Sequence, residues 1–362
     1  MDYGFGRTPE YSFGIEEEFQ LYDRTTLKPV NARDVIASNN NFKPEILLNM
    51  VEINTEVCHD ISEAEEDLRY KRGLLKDICI DRNIYCVGIG IFPYLADGDV
   101  SLNKEFAVKN SPLFLDKKIT DSKNFVMCGT HIHLSVSNMR RALKSLHLFN
   151  FVSPYLYALS ANSPYFKGKD TGFENYRRQT WLKTGKLLLD LKSSEMPWLI
   201  NKYNLDEYFS PENLTESIYS DLISTNFIMV GSWPAYIDSR TEKGTVHLRQ
   251  FDQTSDIKRV LGYASLSRGL GWCILNNCFP EQGYKLDRKD LVSMDTFCSK
   301  KGLKSKHNSR RCLELIKLVS ERCDIVSDDE LKIFKDDIML TDKQRQLFNK
   351  PKKLTEFFSI SA

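Results

Sequence analysis

Glu16 and Glu18, Glu52 and Asn54, His131 and His133, and His247 and Arg249 are four pairs spaced two residues apart, each in a stretch whose alternate residues are largely apolar. Alternation with period two marks a β-strand, so each pair points to one face of its strand. Side-by-side carboxylates suit a hard divalent cation, imidazoles suit a borderline metal or proton transfer, and arginine suits a phosphoryl group. Each stretch also has a plainer reading. Three consecutive glutamates can be a solvated charge run, and a strand histidine can be an ordinary hydrogen-bonding residue. If the four strands pair in one sheet, their polar sides merge into a single surface of carboxylates, imidazoles and an arginine.

The elements that must position these residues are legible in outline. In Ser12 to Leu21 the residues Phe13, Ile15, Phe19 and Leu21 share the apolar face, which leaves Glu17 on that face in need of a partner or a bulge. A second strand over 49–57 sets Val51, Ile53 and Val57 against Glu52, Asn54 and Glu56. A third covers 126–136 and a fourth 244–252. Residues 23–44 read as a surface connection. Asp60 and Glu63 form a capping-box pattern that opens an amphipathic helix to about residue 82. A strand is expected over Tyr85 to Phe92, a long loop over 97–124, and a helix over 143–161 with a kink at Pro154. The loop 162–173 is glycine-rich and basic and carries Lys167; Arg177 and Arg178 follow it. It reads either as a surface loop or as a set of cations for phosphate or carboxylate. From about 255 the chain is helical, with 257–278 largely buried and 310–322 and 328–348 amphipathic. The expectation is an α+β fold in a single domain over 1–362, a mainly antiparallel sheet with helices on one face and a concave polar surface on the other.

Composition narrows the partners. The 362 residues are 41% hydrophobic, and 50 Lys plus Arg against 49 Asp plus Glu leave a net charge of +1, which gives no reason to expect nucleic acid or an anionic membrane. Nine cysteines without paired spacing read as reduced, mostly buried thiols, and the N-terminal residues lack signal-peptide features, so a cytoplasmic protein is expected. The charge-free run 145–166 contains two prolines and reads as a buried helix plus loop rather than a membrane span. There is no phosphate-binding loop motif and no dinucleotide fingerprint, so a nucleotide would have to be held by metals and scattered cations.

Taken together, Gly14-Ile15-Glu16-Glu17-Glu18-Phe19, Met50-Val51-Glu52 with Thr55-Glu56-Val57-Cys58, Gly129-Thr130-His131-Ile132-His133, Leu159-Ser160-Ala161-Asn162-Ser163-Pro164-Tyr165 and Gly244-Thr245-Val246-His247-Leu248-Arg249 resemble the second type of glutamate-cysteine ligase, its carboxylate-amine ligase branch, within the glutamine-synthetase-like superfamily. The resemblance implies a curved antiparallel sheet and an enzyme that uses ATP with Mg²⁺ or Mn²⁺ to join a small carboxylate to an amine through an acyl phosphate, with glutamate and cysteine as the default pair. It implies that Glu16, Glu18, Glu52 and His131 serve the metals, with His133 beside them, and that Arg249 meets phosphate; Arg177 and Arg178 are further candidates for phosphate or substrate carboxylate, and Lys167 for the nucleotide. Two positions depart from the family pattern. His247 stands where the family carries a glutamate, so one metal should be held more weakly or be of a softer type. Arg240 stands near a missing Arg-Pro-Ser segment and would replace its cation. Two further readings are a non-catalytic relative that binds a nucleotide or small molecule, and a metallohydrolase built on His131 and His133. Exposed sheet edges or helices would suit a homodimer.

Overall fold

In this computed structural model the described residues are 4–95, 98–110, 126–183, 235–238, 244–279, 288–334 and 339–360. Nine strands occur among them: β1 (Phe13–Asp23), β2 (Phe42–Pro44), β3 (Met50–Asn54), β4 (Ile84–Val87), β5 (Gly129–Ser135), β6 (Tyr165–Phe166), β7 (Lys169–Asp170), β8 (Ala235–Asp238) and β9 (Thr245–Asp252). Helices α1 (Arg33–Ala37), α2 (Ile61–Asp81), α3 (Lys104–Asn110) and α4 (Met139–Leu159) lie between strands, and α5 (Ile257–Leu275), α6 (Arg288–Lys301), α7 (Lys306–Arg322), α8 (Leu340–Leu347) and α9 (Pro351–Phe357) follow β9.

Seven strands form one open antiparallel sheet in the order β2-β3-β1-β5-β9-β8, with β4 also paired to β1. The four strands singled out by alternation are therefore neighbours. The odd-numbered apolar residues Phe13, Ile15, Phe19 and Leu21 join Val51, Ile53, Ile132, Leu134, Val246 and Leu248 in the main core, beneath α2, α4 and α5. Glu17 does lie on this face. Its partner is Arg72 of α2, whose Nε donates to Glu17 Oε2 at 2.8 Å, and both side chains are wholly buried.

Local signals account for the helices. Asp60 caps α2 by accepting from the backbone N–H groups of Ser62 and Glu63, while Glu63 accepts from His59 N–H, and Ala64, Leu68, Arg72, Leu75 and Cys79 form the buried stripe. Asn138 caps α4, which carries Pro154 inside it, and Asp256 caps α5. Gly271 lets α5 lie close on the sheet, because a Cβ there would stand 2.2 Å from Leu134 Cδ2.

Several boundaries differ from the expected ones. β3 ends at Asn54 because Thr55 keeps only half of its ladder pair: its N–H donates to the Ile15 carbonyl at 2.9 Å, but Ile15 N–H donates to Thr55 Oγ1, also at 2.9 Å, instead of to a carbonyl. Val57 is consequently exposed and Glu56 turns outward to Lys71. β4 stops at Val87, and the segment 162–173 is no open loop but contains the β6–β7 hairpin, whose two-residue turn Lys167-Gly168 has positive φ at both positions. Residues 328–348 form no single helix; a short 3₁₀ turn and α8 occur there. The polar face is also not polar throughout. Beyond Gln20, the residues Tyr22, Met50, Tyr85, Val87 and Phe92 build a second core capped by Leu354 and Phe358 at the end of the chain. All nine cysteines are free thiols, and among the described residues no helix is long and apolar enough to cross a membrane.

Candidate functional site

Antiparallel register turns the sequence spacing into contacts. Glu18 lies opposite Glu52, Glu16 opposite both Asn54 and His131, and His133 opposite His247. Directly opposed side chains on one face stand within reach of each other. A register shift between Thr130 and Ile132 lets β9 offer two residues, Arg249 and Gln250, across from His131. The bulge keeps Arg249 on the site side, sends Gln250 to Ser153 on α4, and brings Asp252 opposite Gly129.

Two donor sets result. Glu18, Glu45 and Glu52 present ligand atoms that all lie within 4.8 Å of one another. Burial pushes the Glu18 carboxyl up despite Arg177 and Arg249 nearby. Burial also raises Glu52, with Glu16 adding to it, and burial together with Glu18 and Glu52 pushes Glu45 well above the usual carboxylate range. Glu45 and Glu52 lie in contact, and burial holds both carboxyls above the usual range. Three carboxyls forced together out of water form a set that a divalent cation would neutralise, and their all-oxygen chemistry fits Mg²⁺ or Mn²⁺.

The second set is Glu16, His133 and His247, with ligand atoms again within 4.8 Å. His133 Nε2 stands 2.9 Å from Glu16 Oε1, and His247 Nε2 stands 3.7 Å from Glu16 Oε2. Burial alone would raise Glu16, yet His133, His131 and His247 hold it well below the usual carboxylate range. Burial lowers His247 strongly, aided by His133, and brings His131 down to about 4. His131 is thus a neutral ring at pH 7. Its Nε2 faces the Arg177 guanidinium at 3.3 Å, which leaves Nδ1 to donate to Glu16 Oε2, also at 3.3 Å.

The cations are positioned by a buried polar network. Asp252 Oδ2 accepts from Asn162 N–H at 2.8 Å and from the Ser163 hydroxyl at 2.7 Å, and Ser163 Oγ in turn accepts from Arg177 N–H at 3.0 Å. This is the structural role of the 159–165 motif. Arg177 Nη1 donates to the Arg249 carbonyl at 3.1 Å and stands 3.9 Å from Asp252 Oδ1. Gly129 makes room for it, since a Cβ there would stand 2.1 Å from Arg177 Nη2, and Gly129 N–H donates to Glu18 Oε2 at 2.6 Å. The Arg249 guanidinium lies over the Trp181 ring at 4.5 Å.

Among the expected site residues, Glu16, Glu18, Glu52, His131, His133, His247, Arg177 and Arg249 gather on this surface. Arg178 does not join them: it makes a buried ion pair with Asp295 of α6 at 2.6 Å and lies over the Tyr157 ring. Lys167 sits on the hairpin turn over the Phe166 ring at 5.2 Å. Arg240 lies outside the described residues. Glu45, Asp252 and Trp181 were not anticipated. Glu45 follows a three-residue strand too short to show alternation, Asp252 regains the site face only through the bulge, and Trp181 sits in a helical stretch with no spacing relation to the strand pairs.

A model of glutamate-cysteine ligase family 2 matches residues 12–199, just over half of the 362-residue chain. A Gloeobacter violaceus protein named "Putative glutamate--cysteine ligase 2" is 26% identical over 271 residues, covering 70% of this chain and 66% of its own length. One of the same name from Ralstonia pickettii is 27% identical over 288 residues, covering 76% and 70%. Among solved structures, the glutamate–cysteine ligase of Francisella tularensis in complex with AMP aligns with a TM-score of 0.63 at 12% identity, over 96% of this chain and 87% of that one. A bifunctional glutathione synthetase from Pasteurella multocida aligns with a TM-score of 0.57 at 11% identity, over 99% of this chain and 51% of that one. Those two likenesses bear out the mixed fold of helices on an antiparallel sheet, and on the extent of the sequence match this chain belongs to glutamate-cysteine ligase family 2.

Proposed function

We propose that the protein is an ATP-dependent carboxylate-amine ligase, acting as one catalytic unit on a small carboxylate and an amine, with glutamate and cysteine as the default pair. The observation that carries this reading is the polar face itself, on which an all-carboxylate set and a carboxylate–imidazole set adjoin Arg177 and Arg249. Family membership supports the ligase class, and the AMP complex of the Francisella enzyme supports the use of a nucleotide.

In such a reaction the γ-phosphoryl group passes to the substrate carboxylate, and an amine then displaces phosphate from the acyl phosphate. Divalent cations held by Glu18, Glu45 and Glu52, and by Glu16 with its histidines, would supply charge neutralisation on the phosphates. The chain's own cations supply the rest. Arg249 is fixed by stacking on Trp181 and Arg177 by its Asp252 network, so both meet a phosphoryl group with little reorganisation. His131, neutral and locked to Glu16 by Nδ1–H, orients that carboxylate. The second core of Tyr22, Phe92 and Phe358 closes the neighbouring part of the face against water.

Incubating the purified chain with ATP, Mg²⁺ or Mn²⁺ and a panel of amino acids and amines tests the reading. ADP release should depend on both a carboxylate and an amine, and Glu16→Ala should lower it by about a hundredfold or more. Turnover with no amine dependence across the panel, or a Glu16→Ala variant as active as the parent, would count against it.

A further inference from the structure

The polar face divides by donor chemistry. Glu18, Glu45 and Glu52 offer oxygen alone, whereas Glu16, His133 and His247 offer one carboxylate and two ring nitrogens. We propose that the Glu16–His133–His247 set is a transition-metal site that takes a zinc- or cobalt-like dication in preference to Mg²⁺, beside the oxygen-only set, so that the two sets hold different metals. The inference rests on the metal-binding part of the function proposed above and not on its ligation chemistry.

Geometry carries it. With metal–nitrogen and metal–oxygen bonds of about 2.1 Å, neighbouring ligands around a tetrahedral ion stand about 3.4 Å apart. His133 Nε2 stands 2.9 Å from Glu16 Oε1 and His247 Nε2 stands 3.7 Å from Glu16 Oε2, on either side of that figure, so each carboxylate oxygen has one ring nitrogen at ligand spacing. The two imidazoles come from residues directly opposed on β5 and β9, with ring centroids 4.0 Å apart and planes inclined at 31°, so both rings bring Nε2 to the same carboxylate. Thr245 Oγ1 lies 3.2 Å from His133 Nδ1 and can take that N–H, which leaves Nε2 as the donor atom on the Glu16 side. His131 is unsuited to be a third nitrogen, because its Nε2 faces the Arg177 guanidinium.

Selectivity follows from the same atoms. Mg²⁺ prefers oxygen ligands and sheds its water reluctantly, whereas two imidazoles raise affinity for the later first-row metals. A glutamate in place of His247 would make the set mainly oxygen and remove that preference. The identity of residue 247 therefore decides which metal this end of the face accepts.

The test is made on the full chain, stripped with a chelator and supplied with Co²⁺ as a spectroscopic probe, without nucleotide or substrate. The expected result is a visible Co²⁺ absorption band that survives an excess of Mg²⁺ of on the order of a thousandfold and is displaced by Zn²⁺. His133→Ala and His247→Gln should each weaken Co²⁺ binding by about tenfold or more, while Glu45→Gln, on the oxygen-only set, should leave the band in place. His247→Glu should bind Mg²⁺ competitively with Co²⁺ and lose intensity in the band. Circular dichroism confirms folding of each variant, and His247→Glu serves where His247→Gln fails to fold. A band that Mg²⁺ removes at comparable concentration, or one unchanged in both folded histidine variants, overturns the proposal. Because no turnover is measured, an inactive chain that binds Co²⁺ in this way leaves the metal site standing and counts against the ligase reading alone.

Discussion

Arg72 reaches under the sheet to the one glutamate of the 16–18 triad that points away from the site. A buried pair of this kind is destabilised far more by losing one partner than by losing both. Arg72→Met should therefore lower unfolding stability by about 3–5 kcal/mol, and adding Glu17→Gln should recover part of the loss, as read from denaturant midpoints. Equal stability of the single and double variants would show that the charge on Glu17 is not the cause. Asp252 belongs to the same scale. Burial raises its carboxyl from 3.8 to about 6, against the pull of Arg177, Ser163 and Asn162. A raised acid makes the folded state bind the extra proton, so its contribution to stability declines as pH rises from 3.8 to about 6 and is level above that. Relative to the parent, Asp252→Asn should gain stability across that window, by on the order of 2–3 kcal/mol, in melts recorded at a series of pH values. A difference that stays flat from pH 4 to about 6.5 would contradict it. Alternation in the sequence was enough to mark Glu16, Glu18, Glu52 and the histidines, because their faces follow from parity alone. It could not mark Glu45, Asp252 or the partner of Glu17, which depend on a bulge, a short strand and a helix brought from elsewhere.

At the level of elements, the strands carry the site and their packing sets its tolerances. β5 must begin with a glycine, since Gly129 lies against the end of Arg177 and the ring of His131. Gly129→Ala would push the guanidinium aside, because a flexible side-chain end yields before two paired strands do. Activity should fall by about a hundredfold while stability changes by only about 1–3 kcal/mol. Parallel kinetics and thermal melts separate these effects, and activity that merely tracks the folded fraction would refute the displacement of Arg177. Strand existence and type were legible in the four polar-faced segments, whereas their ends were not. β3 stops where Thr55 substitutes its hydroxyl for a ladder carbonyl, and no periodicity records such a switch. The basic loop at 162–173 proved to be a hairpin whose turn uses Lys167 at φ +50°, a conformation its residue type does not announce.

For the whole molecule, the α+β class, the antiparallel sheet and the helical cover of its apolar face were all readable from the pattern of alternation followed by helical periodicity. The second core was not, because it draws on widely separated stretches, among them Tyr22, Met50, Tyr85 to Phe92, Val126 to Cys128, and Leu354 with Phe358, none of which looks unusual by itself. That core limits the polar face and gives the site a closed flank. The arrangement of the two donor sets also has a meaning in time. Glu18, Glu45 and Glu52 all come from the first 52 residues, from β1, β3 and the residue that follows β2, while the imidazole set waits for residue 247. On a ribosome the oxygen-only set is therefore synthesised long before its neighbour. The side chains of the first set are all present early in the chain, and the imidazole set is completed only when β9 pairs beside β5.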